Sequence, residues 1–378
     1  MKYKYRLMAP GPTPVPENVL VKMAEPILHH RTPGFEAVVA EVREGLKWLY
    51  QTKQEVILLA ASGTAAMEGC ITSLLNKEDT ALVVDGGKFG ERWWKICQSY
   101  GVKYDVIKVE WGKAVDPKII EAKLKEKDYR AVYVQASETS TAVAHPVKEI
   151  AQIVQRYENT ALVVDAITAL GVVNIPFDEW KIDALVTGSQ KALMLPPGLA
   201  CVGLSEKFWR VAEKANLPRF YIDFKKELKS VKENTSAYTP AVSIISGLKE
   251  VLKMLKEEGM EAIFKRHATL AEMVRQGLKG MELKLYAPEA PSTAVTAAYS
   301  PEGIDSGKIV KGLRENFNMT IANGQDQAKG KIFRIGHLGY YDPMDMVSVL
   351  AAVETTLIRL GHKIQAGQGV GAALKVIL

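Results

Sequence analysis

The sequence predicts an α/β fold with a seven-stranded, mostly parallel sheet in a large domain and a smaller α+β domain at the C-terminus. Short apolar runs alternate with longer amphipathic segments between residues 17 and 250, which is typical of strand–helix units that cover both faces of a sheet. Two runs, Ala161–Val164 and Ala184–Val186, are too short and too β-branched for helices and indicate buried parallel strands. The 378 residues, 47% of them hydrophobic, exceed the usual size of one domain.

Both central runs end at a chemically useful side chain. Asp165 follows the first run, and Lys191 follows the second. Ligands of open α/β sheets bind at the carboxyl ends of strands, so one crossover can bring this carboxylate and this amine to opposite ends of a small molecule. Pyridoxal phosphate needs such a pair, because a lysine holds its aldehyde as a Schiff base and a carboxylate keeps its ring nitrogen protonated. For a lone aspartate and a lone lysine, a turn cap and a solvated amine are the alternative.

The residues around Lys191 resemble a family pattern. The segment Thr187-Gly188-Ser189-Gln190-Lys191-Ala192-Leu193, followed by Pro196-Pro197-Gly198, is similar to the Ser-Gly-Ser-Gln-Lys-Ala-Leu motif of class V aminotransferases. The chain resembles the alanine–glyoxylate and serine–pyruvate aminotransferase family, among the fold-type I pyridoxal-phosphate enzymes, from Pro10 to about Leu350. The resemblance implies that Lys191 is the Schiff-base lysine, Asp165 the pyridine-nitrogen partner and Gln190 a phosphate ligand.

Composition limits the partners that we expect. The net charge of +6 is a mild excess without a basic block, which favours anionic small molecules over nucleic acid. The three cysteines, Cys70, Cys97 and Cys201, are too widely spaced for a metal site or a disulfide framework, which favours a reducing cytoplasm. No apolar run approaches the roughly 20 residues that span a bilayer, and the first residues lack a signal-peptide core. We therefore expect a soluble cytoplasmic protein that binds neither nucleic acid nor membranes.

The N-terminal segment is proline-rich. Leu7–Pro16 carries four prolines and a glycine, which predict an extended segment. The resemblance places substrate beside a Gly-Pro here and implies that Gly11 contacts it through its backbone, whereas a rigid lead-in is the alternative. Helices are predicted at Glu17–Glu25 and Pro33–Tyr50, and the polar loop between them, which includes His29 and His30, is predicted to lie at the surface or an interface.

The first strand of the sheet is predicted at Glu55–Ala61, and Ser62-Gly63-Thr64 opens the next helix. Backbone N–H groups, two hydroxyls and a glycine at a helix N-terminus suit an anion, although an ordinary N-cap explains the same residues. The resemblance places the cofactor phosphate here. The strand Thr80–Asp85 leads to Phe89, whose aromatic face suits a flat cofactor. The resemblance implies that Phe89 stacks on the pyridine ring, and an ordinary core residue is the alternative.

Hydroxyl residues cluster at Ser137–Thr141, after a predicted strand at Arg130–Ala136. Such a cluster suits hydrogen bonds to the cofactor and is also common in turns. The family pattern Glu-Ser-Ser-Thr-Gly is matched here by Glu138-Thr139-Ser140-Thr141-Ala142, which implies that Thr139 bonds the ring oxygen. The resemblance also implies that Ile167 covers the other face of the ring. Further elements are predicted as strands at Val102–Val109 and Leu199–Leu204, the latter antiparallel, and a helix at Pro117–Lys127.

Hydroxyl residues recur at Asn234–Pro240. The resemblance implies that Thr235 and Thr239, with Tyr238 close by, reach across a homodimer interface to the partner's cofactor phosphate. Each active site is then built from two chains. A helix-capping turn is the alternative interpretation.

The C-terminal region carries an arginine in an apolar strand. Arg334 lies within Ile332–Ile335, and a buried guanidinium needs a carboxylate partner, which it binds bidentately. The resemblance implies that Arg334 grips the α-carboxylate of the substrate, and a structural salt bridge is the alternative. The elements predicted around it are helices at Val242–Glu258, Gly259–Gly280 and Pro343–Arg359 and strands at Thr293–Tyr299, Met319–Ala322 and Lys331–Ile335. We expect an extended segment at 1–16, the large domain at 17–255 and the small domain at 256–378.

The resemblance implies an aminotransferase that uses pyridoxal phosphate in two stages. We expect alanine or serine as the amino donor and glyoxylate or pyruvate as the 2-oxo acid, because Arg334 is one clear carboxylate-binding cation and no second one is evident. A phosphoserine or aminophosphonate aminotransferase is the main alternative. A cysteine desulfurase-like lyase would need a late cysteine, and none follows Cys201. A non-catalytic role is the third possibility, because some members of this family are labelled as a soluble hydrogenase subunit.

Overall fold

Strands and helices alternate along the chain in the computed structural model, which describes residues 3–378. The strands are β1 Arg6–Leu7, β2 Val56–Leu59, β3 Thr80–Asp85, β4 Lys103–Lys108, β5 Ala131–Gln135, β6 Ser137–Glu138, β7 Val143–Ala144, β8 Ala161–Asp165, β9 Ala184–Gly188, β10 Ala200–Leu204, β11 Val295–Tyr299, β12 Met319–Thr320, β13 Ala322–Asn323 and β14 Ile332–Gly336. The α-helices are α1 Glu17–Met23, α2 Pro33–Tyr50, α3 Gly63–Thr72, α4 Lys88–Tyr100, α5 Pro117–Glu126, α6 Val147–Val154, α7 Glu206–Val211, α8 Phe224–Lys232, α9 Val242–Glu258, α10 Met260–Gly280, α11 Ser306–Phe317, α12 Pro343–Arg359 and α13 Gln368–Leu374.

A seven-stranded sheet with the order β2-β10-β9-β8-β5-β3-β4 confirms the predicted architecture. Strands β3, β4, β5, β8 and β9 pair in parallel, whereas β10 is antiparallel to both of its neighbours, β2 and β9, as predicted for the return strand. The short connection from β9 to β10 requires this reversal, since a parallel pair needs a long crossover. Lys191 lies in that connection, and the carboxyl end of β8 adjoins β9.

The central strands are apolar throughout because both faces of the sheet are covered. Val163 and Val164 of β8 are both buried, but they belong to two different hydrophobic clusters. Successive side chains of a strand point to opposite faces, so every position of such a strand must be apolar. The polar residues that matter for chemistry are therefore confined to the strand ends.

A second, three-stranded sheet with the order β11-β14-β13 supports the C-terminal part of the chain. A separate hydrophobic cluster packs this sheet against α10, α12 and α13. The tail beyond residue 364 forms α13 on α10, and the buried Glu354 carboxylate accepts hydrogen bonds from the N–H groups of Gly367 (2.8 Å) and Gly369 (2.6 Å). The tail thus has a packing role.

One predicted strand was wrong. The segment Met319–Ala322, expected as a single strand, is divided at Ile321 into β12 and β13, which belong to different sheets. β12 pairs in parallel with β1, with Arg6 opposite Met319, while β13 pairs with β14. The N-terminal partner lies more than 300 residues away in sequence, so a local pattern could not reveal the division.

His267 joins α10 to the loop after β14 and generates a prediction about acid stability. Its buried ring uses both nitrogens in a neutral tautomer, with Nδ1 2.8 Å from the Ile263 carbonyl oxygen and Nε2 accepting from the Gly339 N–H at 3.0 Å. Burial lowers the His267 pKa to about 3. Because the unfolded chain takes up this proton near pH 6.5, the stabilisation is complete above that pH and is lost as the pH falls toward the folded value.

We therefore expect the free energy of unfolding of the wild type to fall between pH 6 and pH 4 more steeply than that of His267→Gln. The difference in slope should be about 1.4 kcal/mol per pH unit. Urea titrations at several pH values measure both slopes, and the variant's own loss of packing affects the intercept alone. Equal slopes would contradict the neutral, doubly bonded histidine.

Candidate active site

Three buried charged side chains lie close to one another, two at the carboxyl edge of the large sheet and one in the three-stranded sheet. Asp165 is the last residue of β8, Lys191 follows β9, and Arg334 lies in β14; all three are less than 10% exposed. The pKa of Lys191 responds to the charges of both Asp165 and Arg334. The structure therefore brings together the three residues that the sequence singled out.

Asp165 is held in place by its own turn. Its Oδ1 accepts the Ile167 N–H at 2.9 Å, and Oδ2 has no recorded hydrogen bond from residues 3–378. Burial raises the Asp165 pKa to about 6, while the Ile167 N–H and the charges of Arg92 and Lys191 act in the opposite direction. One carboxylate oxygen thus remains free for a ligand.

Lys191 lies against the N-terminal segment. Its Nζ donates to the Pro10 carbonyl oxygen at 2.7 Å, and burial lowers its pKa to about 8, an effect that Asp165 opposes and that Arg334 and Arg92 reinforce. Gly11 has a φ of +139°, and a Cβ on it would lie 2.3 Å from Nζ. Any larger residue here would have to displace the amine. Gly11, expected beside the substrate, therefore adjoins the reactive nitrogen itself.

Arg334 is oriented by carbonyl groups. Its Nε and Nη2 donate to the Asn323 oxygen at 3.1 and 2.8 Å, and Nη1 donates to the Thr139 oxygen at 2.9 Å. No salt bridge joins Arg334 to a carboxylate within residues 3–378, so the structural ion pair considered from sequence is not found there. Each terminal nitrogen keeps one N–H without a recorded acceptor. Two free N–H groups are the number that a bidentate contact with a carboxylate requires.

The hairpin of β6 and β7 connects Arg334 to α4. Thr139 shares a hydroxyl–hydroxyl hydrogen bond of 2.7 Å with Thr168, and its carbonyl binds Arg334. The fully buried Glu138 accepts the N–H groups of Phe89 (3.1 Å) and Gly90 (2.9 Å), and burial raises its pKa to about 7. Sequence reasoning assigned no role to Glu138 or Thr168. A carboxylate shortly after a mostly apolar strand, three residues beyond Gln135, was the available signal for Glu138.

The start of α3 has unused hydrogen-bond donors. Ser62 is the N-cap residue, yet its side chain makes no capping hydrogen bond, so the ordinary N-cap interpretation does not describe this turn. Ile167 packs against Gly63, where a Cβ would lie 2.4 Å from Ile167 Cδ1. The nearby Gln190 carries a buried Oε1 without a hydrogen-bond partner. Free N–H groups and hydroxyls at the start of a helix suit an oxyanion, whereas the Gln190 Oε1 can only accept a hydrogen bond from a ligand or neighbouring donor.

Phe89 lies in the first turn of α4 and is partly exposed. The guanidinium of Arg92, one turn later on the same face, lies 4.9 Å from the centroid of the Phe89 ring. Sequence reasoning missed Arg92, although the spacing of three residues on a helix was a usable signal. The site thus contains a second cation, Arg92, whereas the sequence analysis identified Arg334 alone.

Thr235 and Thr239 lie elsewhere in this chain. Together with Tyr238 they line a cavity bounded by residues 58–61, and neither Asp165 nor Lys191 lines it. The Thr235 hydroxyl accepts a hydrogen bond of 2.7 Å from Arg31. The structure therefore does not place these hydroxyls in the site of their own chain.

The residues present fit a flat anionic cofactor. They offer a carboxylate, an amine, an aromatic side chain and a helix start with free donors around one edge of the sheet. Within residues 3–378, no group of three or more His, Cys, Asp or Glu side chains could hold a metal ion. In the same part of the chain, no helix is long and apolar enough to cross a membrane.

Comparison with protein families matches residues 7–348 to Aminotransferase class-V. The chain belongs to this family. The match confirms the resemblance seen in the sequence, and this class V aminotransferase is an enzyme that transfers an amino group from an amino acid to a 2-oxo acid.

Similar proteins carry several names. The aminotransferase is 40% identical to the small subunit of a soluble hydrogenase from Synechococcus (100% of this chain and 99% of the relative). It is 36% identical to L-aspartate–glyoxylate aminotransferase from Paracoccus denitrificans (97% and 94%). Among solved structures, ureidoglycine–glyoxylate aminotransferase from Bacillus subtilis has a TM-score of 0.95 at 31% identity (100% and 99%).

The contact between Gly11 and Lys191 predicts that Gly11→Ala reduces turnover at least tenfold, since the new methyl group must displace Nζ from its position. Gly34→Ala is the matched control, because nothing lies within 4 Å of a Cβ at Gly34. Steady-state kinetics measure the loss, and circular dichroism checks the fold of both variants. Wild-type turnover in Gly11→Ala would mean that the N-terminal segment does not hold the amine.

Proposed function

We propose that this class V aminotransferase binds pyridoxal 5'-phosphate at the edge formed by Asp165 and Lys191. When bound, the cofactor supplies an electron sink for the carbanion that forms at the α-carbon of the amino acid. Lys191 holds the cofactor at its aldehyde end and Asp165 faces the ring nitrogen. The observation that carries the proposal is the buried pairing of one carboxylate with one amine, each with a free position toward the ligand.

The remaining cofactor contacts are proposed from the elements around this pair. The turn at Ser62, Gly63 and Thr64 and the side chain of Gln190 hold the phosphate with their free donors. Phe89 and Ile167 cover the two faces of the ring. Thr139 bonds the ring oxygen, because its hydroxyl lies at the strand end beside Thr168 and Arg334.

Lys191 is proposed as the general base and acid. Burial and the neighbouring arginines lower the pKa of its amine to about 8, closer to neutral pH than that of an exposed lysine. In its neutral form, Nζ would take the proton from the substrate α-carbon and pass it to the carbon that carried the cofactor aldehyde, and in the second half of the reaction the same proton transfer would run in reverse. The amine exchanges its contact with the Pro10 carbonyl for this role.

Arg334 is proposed to bind the α-carboxylate through its two free N–H groups, with Gly11 beside the substrate. We propose alanine or serine as donor and glyoxylate or pyruvate as acceptor. The second cation of the site, Arg92, donates one N–H to Thr64 and lies over the Phe89 ring, and we propose that it serves these two residues and not a distal carboxylate. Aspartate is the competing donor, because one relative is named L-aspartate–glyoxylate aminotransferase.

A homodimer with shared active sites is proposed for the assembly. Apolar side chains are exposed in α1 and in the loop that follows it, with Val21 at 68% and Ile27 at 72%. The same loop contains Arg31, which donates a hydrogen bond to Thr235. If a partner chain covered this surface, Thr235 and Thr239 would lie beside the cofactor phosphate of that partner. Buried apolar area of this kind is typical of obligate interfaces.

The organisation and location of the chain are also proposed. We propose a division into 1–16, 17–255 and 256–378, because the three-stranded sheet has a hydrophobic cluster apart from those of the seven-stranded sheet; Met8 and Ile263 show that the packing crosses these bounds locally. The three free cysteines, which are all buried, support a reducing cytoplasm.

An absorbance titration tests the substrate assignment. Purified protein loaded with pyridoxal phosphate should absorb at about 410–420 nm, and alanine or serine should remove this band, which glyoxylate then restores. Aspartate, glutamate and phosphoserine serve as comparison donors. A much faster response to aspartate or phosphoserine would contradict the small-donor assignment.

Lys191→Ala should abolish turnover and the 410–420 nm band, because the amine is both the cofactor anchor and the base. Size-exclusion chromatography should show the same oligomer as the wild type. Persistent turnover in the variant would refute the role of Lys191. Absence of the band in reconstituted wild-type protein would favour the non-catalytic role, and release of sulfide from cysteine would favour a desulfurase.

A further inference from the structure

Arg92 lies on α4 at the rim of the candidate site. Its Nη1 donates to Thr64 Oγ1 at 3.0 Å, and its guanidinium carbon lies 4.9 Å from the centroid of the Phe89 ring. No salt bridge joins Arg92 to any carboxylate between residues 3 and 378, and the neighbouring Glu91 pairs with Lys88 and Lys95 instead. The charge of Arg92 is therefore directed at the site and is not neutralised by an adjacent acid.

The hydrogen bond to Thr64 has a direct chemical consequence. A threonine hydroxyl has one proton to donate and accepts through its lone pairs. Since the Thr64 oxygen accepts from Arg92, its own proton remains available for a ligand at the start of α3. The Arg92 guanidinium also lies over the Phe89 ring and so limits the orientations that this ring can adopt beside the site. Arg92 thus contacts two residues that are proposed to touch the cofactor.

The charge of Arg92 also acts on the central pair. It favours the ionised form of the Asp165 carboxyl and the neutral form of the Lys191 amine, lowering the pKa of each. The other charged groups that face this pair are Arg334 from β14 and Glu138 from β6. Burial raises the pKa of both Asp165 and Glu138, so the two acids do not fully neutralise the two arginines, which suits a site for anionic ligands.

We propose that Arg92 is a positioning residue for the cofactor, which directs the Thr64 hydroxyl proton and the Phe89 ring and places a positive charge facing Asp165 and Lys191. This inference rests on the proposed pyridoxal-phosphate site. It gives Arg92 no direct part in binding the substrate, which remains the role of Arg334.

The test uses the reconstituted full-length protein and three substitutions. Arg92→Met removes both donor and charge at similar length, Arg92→Lys keeps the charge, and Lys95→Gln is the control one turn along the same helix, where the exposed Lys95 pairs with Glu91 alone. Two quantities are measured for each protein. They are the dissociation constant of pyridoxal phosphate, from fluorescence quenching, and the pH midpoint of the absorbance change of the bound cofactor.

We expect Arg92→Met to weaken cofactor binding about tenfold, as loss of a charged hydrogen-bond donor does. Its absorbance midpoint should rise by about one pH unit, because removal of a nearby cation favours protonation of the nitrogen at Lys191. Arg92→Lys should keep the wild-type midpoint with an intermediate affinity, and Lys95→Gln should match the wild type in both.

Several outcomes would overturn the inference. A wild-type midpoint in Arg92→Met would mean that Arg92 contributes packing alone, and a wild-type cofactor affinity in this variant would mean that Arg92 does not position the cofactor. Should Arg92→Met fail to fold by circular dichroism, Arg92→Gln keeps a donor for Thr64 without the charge and gives the same midpoint test. Failure of the wild type itself to bind pyridoxal phosphate would refute the proposed function instead.

Discussion

The burial of opposite charges at one sheet edge is the constraint on which the rest of this structure depends. Asp165 and Lys191 are both almost inaccessible to water, and burial alone would drive each toward its neutral form. Each favours the charged form of the other, so neither can be understood in isolation. The parallel pairing of β8 with β9, and the reversal of the chain into β10, bring the two together, while polar residues of these strands are limited to their carboxyl ends at Asp165 and Thr187.

The surrounding elements hold this edge through backbone groups more than through side chains. The Pro10 carbonyl binds the amine, two carbonyls orient Arg334, and amide N–H groups bind Asp165 and Glu138. Backbone groups of a packed fold have few alternative positions, so these buried side chains have little freedom to move. Asp165 and Arg334 each keep hydrogen-bonding capacity that the chain itself does not use.

Much of this arrangement was predictable from sequence because it depends on local patterns. Apolar runs ending at Asp165 and near Lys191 gave the central strands, and the arginine within an apolar strand gave Arg334. The missed features arise from distant contacts. The pairing of β1 with β12, the hydroxyl pair of Thr139 and Thr168, and the bond from Arg92 to Thr64 join segments that no periodicity connects. Roles for Thr235 and Thr239 depend on a second chain and stay predictions.

The path of the N-terminal segment has a practical consequence for handling the protein. Its strand β1 pairs with β12, and the Met8 carbonyl then accepts a hydrogen bond from β14. A few residues later, the N–H of Thr13 donates to the Gln190 carbonyl and its hydroxyl donates to the Lys191 carbonyl. A peptide inserted between residues 8 and 13 would displace the carbonyl that binds the Lys191 amine. The exposed turn at Glu302 and Gly303, where nothing lies within 4 Å of a Cβ on Gly303, is a safer place for an insertion.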